Sequence, residues 1–138
     1  LKKSYWLPLA ISVSAILLNG TAFAQSFTKC KAFEFAEMQT MSKAELEQLY
    51  CTNKRTMESG RKMQSNNMDT ALKMSGFALQ GAQIGDRRGS KDSMDQSANY
   101  QKQAGEYGDN ATACSAENDR VLRIIKKGNN KVEAPKCE

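Results

Sequence analysis

Apolar and small residues recur at three- and four-residue intervals through most of this chain. The positions between them are rich in Lys, Gln and Glu, with few β-branched side chains. That pattern predicts helix rather than strand. Ser42-Lys43-Ala44-Glu45 reads as a capping box, in which the Ser hydroxyl meets the Glu45 amide and the Glu45 side chain reaches back. A first helix is therefore expected from Lys43. Leu46, Leu49, Tyr50, Asn53 and Met57 share one face of it, and Gly60, Gln64, Met68, Ala71 and Ser75 continue the seam.

Gly76, Gly81, Gly85 and Gly89 then follow every four or five residues. Each costs a helix about 1 kcal/mol relative to Ala, so the chain is expected to turn here. A second helix is expected from about Asp92 to Lys127. Its end is marked by Arg123, Lys126 and Lys127, cations at the negative helix terminus, and by Gly128 as a left-handed cap. Its seam is made mostly of small residues: Met94, Ala98, Gln101, Ala104, Gly105, Gly108, Ala111 and Ser115. The glycines between Gly105 and Asn110 mark its weakest point. Residues 26–41 carry Phe27, Phe33, Phe35, Met38 and Met41 without a clear period. They are expected to fold back as an apolar arm and complete a core that is otherwise poor in aromatic side chains.

The first 24 residues have a different character. Lys2-Lys3 precede an apolar run from Tyr5 to Leu18, followed by Asn19-Gly20 and Ala22-Phe23-Ala24. A positive start, a short apolar middle and small residues two apart describe a secretory signal peptide of bacterial type. The run is shorter than the ~20 residues of a membrane-spanning helix. The expected organisation is a signal peptide over 1–24 and a single small helical domain over 25–138, periplasmic or secreted, with no membrane span after processing. Losing Lys2 and Lys3 lowers the net charge from +5 to +3, without the concentrated basic face that nucleic-acid binding requires.

All four cysteines, Cys30, Cys51, Cys114 and Cys137, fall in the mature part. Their spacing matches no zinc motif, and an exported chain this small with few large apolar residues needs staples. Two disulfides are expected. Cys51 with Cys114 and Cys30 with Cys137 share nearly one midpoint inside the glycine stretch, which favours nested bridges across an antiparallel hairpin. Sequential pairing, Cys30 with Cys51 and Cys114 with Cys137, is the rival.

Candidate chemistry is sparse. The chain contains no histidine, which removes the usual general base and metal ligand. The carboxylate pairs Glu34/Glu37, Glu45/Glu47, Asp92/Asp95 and Glu117/Asp119 sit among lysines and glutamines, as solvated charges do. The methionines are too dispersed for a copper site and read as core filler. No catalytic, metal or cofactor-binding residues are assigned. Two contact elements stand out instead: a possible binding loop at Asp86, Arg87 and Arg88, and a possible contact patch at Tyr100 and Tyr107, seven apart on one helix face. The expected architecture is all-α, a disulfide-stapled antiparallel helical hairpin or small helical bundle with an N-terminal apolar arm. The expected function is that of a non-enzymatic binding protein (adaptor, inhibitor or immunity-type factor) with a protein partner in the periplasm or envelope. The alternative is a structural component of an envelope assembly such as a secretion or conjugation apparatus.

Overall fold

The computed structural model describes residues 29–138, so the leader, its cleavage site and Phe27 lie outside the described residues. Three helices follow in order: α1, Phe35–Thr40; α2, Lys43–Gln83; and α3, Arg87–Lys126. No strand occurs among the described residues. α2 has 41 residues and is therefore about 60 Å long. α3 returns along its whole length.

Local chemistry explains the helix ends. Ser42 and Glu45 form the expected capping box, Ser42 N donating to Glu45 Oε2 at 2.7 Å and Glu45 N to Ser42 Oγ at 3.3 Å. These contacts with Ser42, its backbone amide first, hold the Glu45 carboxyl below its ordinary pKa. The cap therefore contributes above that range and is lost as pH falls through it. Glu34 and Glu37 form a second capping box that starts α1.

The turn is tighter than the glycine pattern implies. Only Ile84, Gly85 and Asp86 separate the long helices, and Gly85 takes φ +81°, a backbone region that suits glycine. α3 begins five residues before the expected Asp92 because Asp86 caps it, accepting from the Gly89 amide at 2.9 Å. At the far end Lys127 and Gly128 both adopt positive φ, 45° and 78°.

α3 does not break between Gly105 and Asn110. The side-chain amide of Gln64 lies over Gly108, where a Cβ would come within 2.5 Å of its nitrogen and displace the end of that flexible side chain. The seam as a whole is narrow and small. It buries Gly60, Asn67, Ala71 and Ala78 from α2 against Ser97, Ala104, Ala111 and Cys114 from α3. Met94, Ala98, Gln101 and Gly105, placed in this seam by their spacing, are instead exposed, because the inner face of α3 runs through Ser97 and Ala104.

Large apolar side chains gather at the end remote from the turn. Met38, Leu46, Leu49 and Val121 form the core there, with Phe33, Met41, Tyr50, Ile124 and Ile125 packed around them. The arm does supply this core, but chiefly through Met38 and Phe33. Phe35 is 51% exposed.

The bridges join Cys30 to Cys114 and Cys51 to Cys137, each with a Cα–Cα distance of 5.4 Å. They cross, so both the nested scheme and its sequential rival are corrected. The reason lies on α2. Asn53 is fully buried toward α3, and two residues turn a helix by about 200°, so Cys51 points outward. Cys114 points inward and is fully buried. Cys51 cannot reach it and takes Cys137 from the returning tail, while Cys114 takes Cys30 from the arm.

Candidate functional site

The two ends of the packed pair of long helices differ in kind. At the base, the arm is tied down by side chains that bond its backbone. Asn53 accepts from Lys31 N through Oδ1 at 3.2 Å and donates Nδ2 to Lys31 O at 3.1 Å. Glu117, only 5% exposed, accepts from Phe33 N at 3.3 Å and pairs with Arg120 at 2.9 Å. Arg120 in turn donates to Phe33 O at 3.2 Å. Buried Asn53 and Glu117 thus find their partners in the backbone of arm residues 31 and 33, as buried polar groups require.

This makes Asn53 a measurable clamp. Asn53→Ala is expected to destabilise the fold by about 1–3 kcal/mol, since it removes both bonds to the Lys31 backbone and empties a fully buried side-chain site. Thr52→Ala, on the exposed side of the same turn, should change stability by less than about 0.5 kcal/mol. Urea unfolding followed by circular dichroism reads both.

Three of the four carboxylate pairs have structural employment. Glu34 and Glu37 cap α1. Glu45 caps α2, and Glu47 meets Lys43 at 3.7 Å. Glu117 holds the arm. Among the described residues no group of three or more Cys, Asp or Glu side chains could hold a metal ion.

The distal half, nearer the turn, is built differently. Its buried positions are Asn67, Ala71, Ala78, Ser97 and Ala104, all small or polar. Its large apolar residues lie outside: Met68, Leu72, Phe77, Leu79, Ile84 and Met94 are each at least 45% exposed, and Ile84 reaches 81%. Polar bonds knit the seam between them. Ser75 Oγ meets Ser97 Oγ at 2.8 Å, Ser97 Oγ donates to Ala71 O at 2.9 Å, and Ser90 Oγ donates to Ala78 O at 2.8 Å.

The sequence-derived contact elements fall in or beside this half. Arg87 and Arg88 are exposed on the first turn of α3, and Asp86 is spent on capping it. The expected binding loop is therefore a helix start flanked by Ile84. Tyr100 and Tyr107 are half-buried and lie on one side of α3. What the sequence pattern missed are Leu72, Phe77, Leu79 and Ile84, which fit no seam. Their failure to fit was itself the signal.

No family model, curated protein or solved structure matches this chain.

Proposed function

We propose that this is an exported, non-enzymatic binding protein whose contact element is the distal half of the hairpin, held at its base by two crossed disulfides. The observation that carries this reading is the inversion of burial along the molecule. Large apolar side chains are inside at the base and outside near the turn. Met68, Leu72 and Leu79 share one side of α2 and Phe77 and Ile84 the other, and exposed apolar surface rimmed by polar residues is characteristic of protein interaction sites. Two disulfides suit an oxidising compartment, and no helix among the described residues is long and apolar enough to cross a membrane. Together with the leader-like residues 1–24, these features support a periplasmic or secreted adaptor, inhibitor or immunity-type factor.

A photo-cross-linking residue placed at Phe77 in the exporting cell tests the reading. A defined adduct with another protein is expected from Phe77 and not from Lys43, an exposed position at the base. Equal adducts from both positions, or none from Phe77, would defeat it. An adduct with a repeating ladder of several envelope proteins would favour the assembly-component alternative.

A further inference from the structure

We infer that a second copy of this chain covers one broad face of the distal half, forming a twofold dimer of parallel hairpins. This rests on the reading of that half as the contact element and names one of its partners.

The face consists of two stripes. On α2, Gln64, Met68, Leu72, Ser75 and Leu79 follow at three- and four-residue steps. On α3, Met94, Ala98, Gln101, Gly105 and Gly108 do the same. Gln64 packs on Gly108, and Ser97 bonds both Ser75 and Gln101, so the stripes lie side by side on one surface. Between Gln64 and Leu79, and between Met94 and Gly108, neither stripe contains a charged residue, Arg61 and Arg87 following the same steps only at the two ends. Charge depletion with methionine enrichment is the composition of interface cores. The Tyr100 and Tyr107 side of α3 faces elsewhere.

The surface is complementary to itself. The α2 stripe is large and raised: Leu72 is 67% and Leu79 68% exposed. The α3 stripe is low, with exposed Ala98 and Gly105. Facing residues such as Gly60 with Ala111, Gln64 with Gly108 and Gly81 with Ser90 centre the register on Gly85. That register sets Leu72 level with Ala98 and Gly76 level with Met94. A twofold axis along the hairpin lays α2 of each copy over α3 of the other. Leu72 then meets Ala98 of the second copy, and Met94 meets its Gly76.

Charge at the rim agrees. Asp69 lies beside Leu72 and is level with Lys102, which lies beside Ala98. Arg61 continues the α2 stripe and is level with Asp109. All four are exposed, and none makes an ion pair among the described residues. The same twofold operation brings Asp69 to the second copy's Lys102 and Arg61 to its Asp109, so opposite charges meet on both sides. From Arg61 to the turn the face is about 35 Å long and about 20 Å wide. Its roughly 700 Å² is close to the ~800 Å² per partner of a stable interface.

Sedimentation equilibrium of the purified, oxidised protein tests the dimer. A dimer is expected at about 100 µM or below. Leu72→Glu with Leu79→Glu should raise its dissociation constant more than about 100-fold, with helix content and both bridges retained because both side chains are exposed. Asp69→Lys should weaken the dimer about tenfold, and adding Lys102→Asp should restore it. Phe77→Glu, outside both stripes, should leave it intact. A monomer at every concentration, a dimer indifferent to the Leu72/Leu79 variant, or no rescue by Lys102→Asp would overturn the inference. The Phe77 cross-link reports separately: an adduct from a monomeric protein would sink the dimer and leave the binding reading standing.

Discussion

Replacing Cys51 and Cys137 with Ser is expected to destabilise the protein by about 4–5 kcal/mol, and removing both bridges to abolish cooperative unfolding. The bridges span sequence separations of 84 and 86 residues, and loops that long confer about 4.5 kcal/mol each on chain-entropy grounds. A small domain holds only about 5–15 kcal/mol in total. Because the bridges cross, their loops overlap and the two contributions add to less than their sum. The thin seam of Ala71, Ala78, Ala104 and Ala111 offers little to offset the loss. Urea titration with circular dichroism measures each step. A double-bridge knockout retaining a sharp transition at wild-type midpoint would show that the seam alone suffices.

The pairing has its own readout. Both bridges join a residue before the turn to one after it, so tryptic cleavage at exposed Arg87 or Arg88 leaves the halves covalently joined until reductant is added. Peptide mapping then separates crossed from nested pairing. The expected linked peptides carry Cys30 with Cys114 and Cys51 with Cys137; a peptide joining Cys30 to Cys137 would overturn the crossed arrangement.

Much of this was legible, and one inconsistency within the pattern pointed at the rest. The capping box at Ser42 and Glu45, the helix end at Gly128 and an α2 seam through Leu46, Leu49, Asn53 and Ala71 are local matters of propensity and period, and they stand. That same seam leaves Cys51 off the buried face, while Cys114 lies three residues after Ala111 on the inner face of α3. Facing cysteines by midpoint alone ignored the direction of their side chains. A register centred on Gly85 rather than earlier removes the numerical coincidence too.

The paths of the arm and tail were not legible. They depend on Asn53, Glu117 and Arg120 bonding backbone groups more than 20 residues away in sequence, and no periodicity records such contacts. The exposed apolar stripe proposed as a contact surface was hidden for a related reason. Near the turn the inner faces bury only small and polar residues, Asn67, Ala71 and Ala78 against Ser97 and Ala104, so the period is weak there and Leu72 and Leu79 are assigned to no face.

Met38→Ala is expected to cost about 3 kcal/mol, with Phe35→Ala close to neutral. The arm contains both, and by size the phenylalanine is the larger apolar residue. Burial reverses that order. Met38 is fully buried on a six-residue helix, against Leu46, Leu49 and Val121, and large-to-small substitution of such a residue costs about 2–5 kcal/mol through lost transfer energy and an unfilled cavity. Phe35 stands half exposed at the start of the same helix, where truncation removes little buried area. The comparison also separates packing from tethering. If the arm were held only by the Cys30–Cys114 bridge and the Asn53 clamp, Met38→Ala would leave the urea midpoint unchanged in the oxidised protein. If Met38 is core, the midpoint falls with the bridge intact, and Cys30→Ser with Cys114→Ser should not remove the effect of Met38→Ala in whatever fold remains.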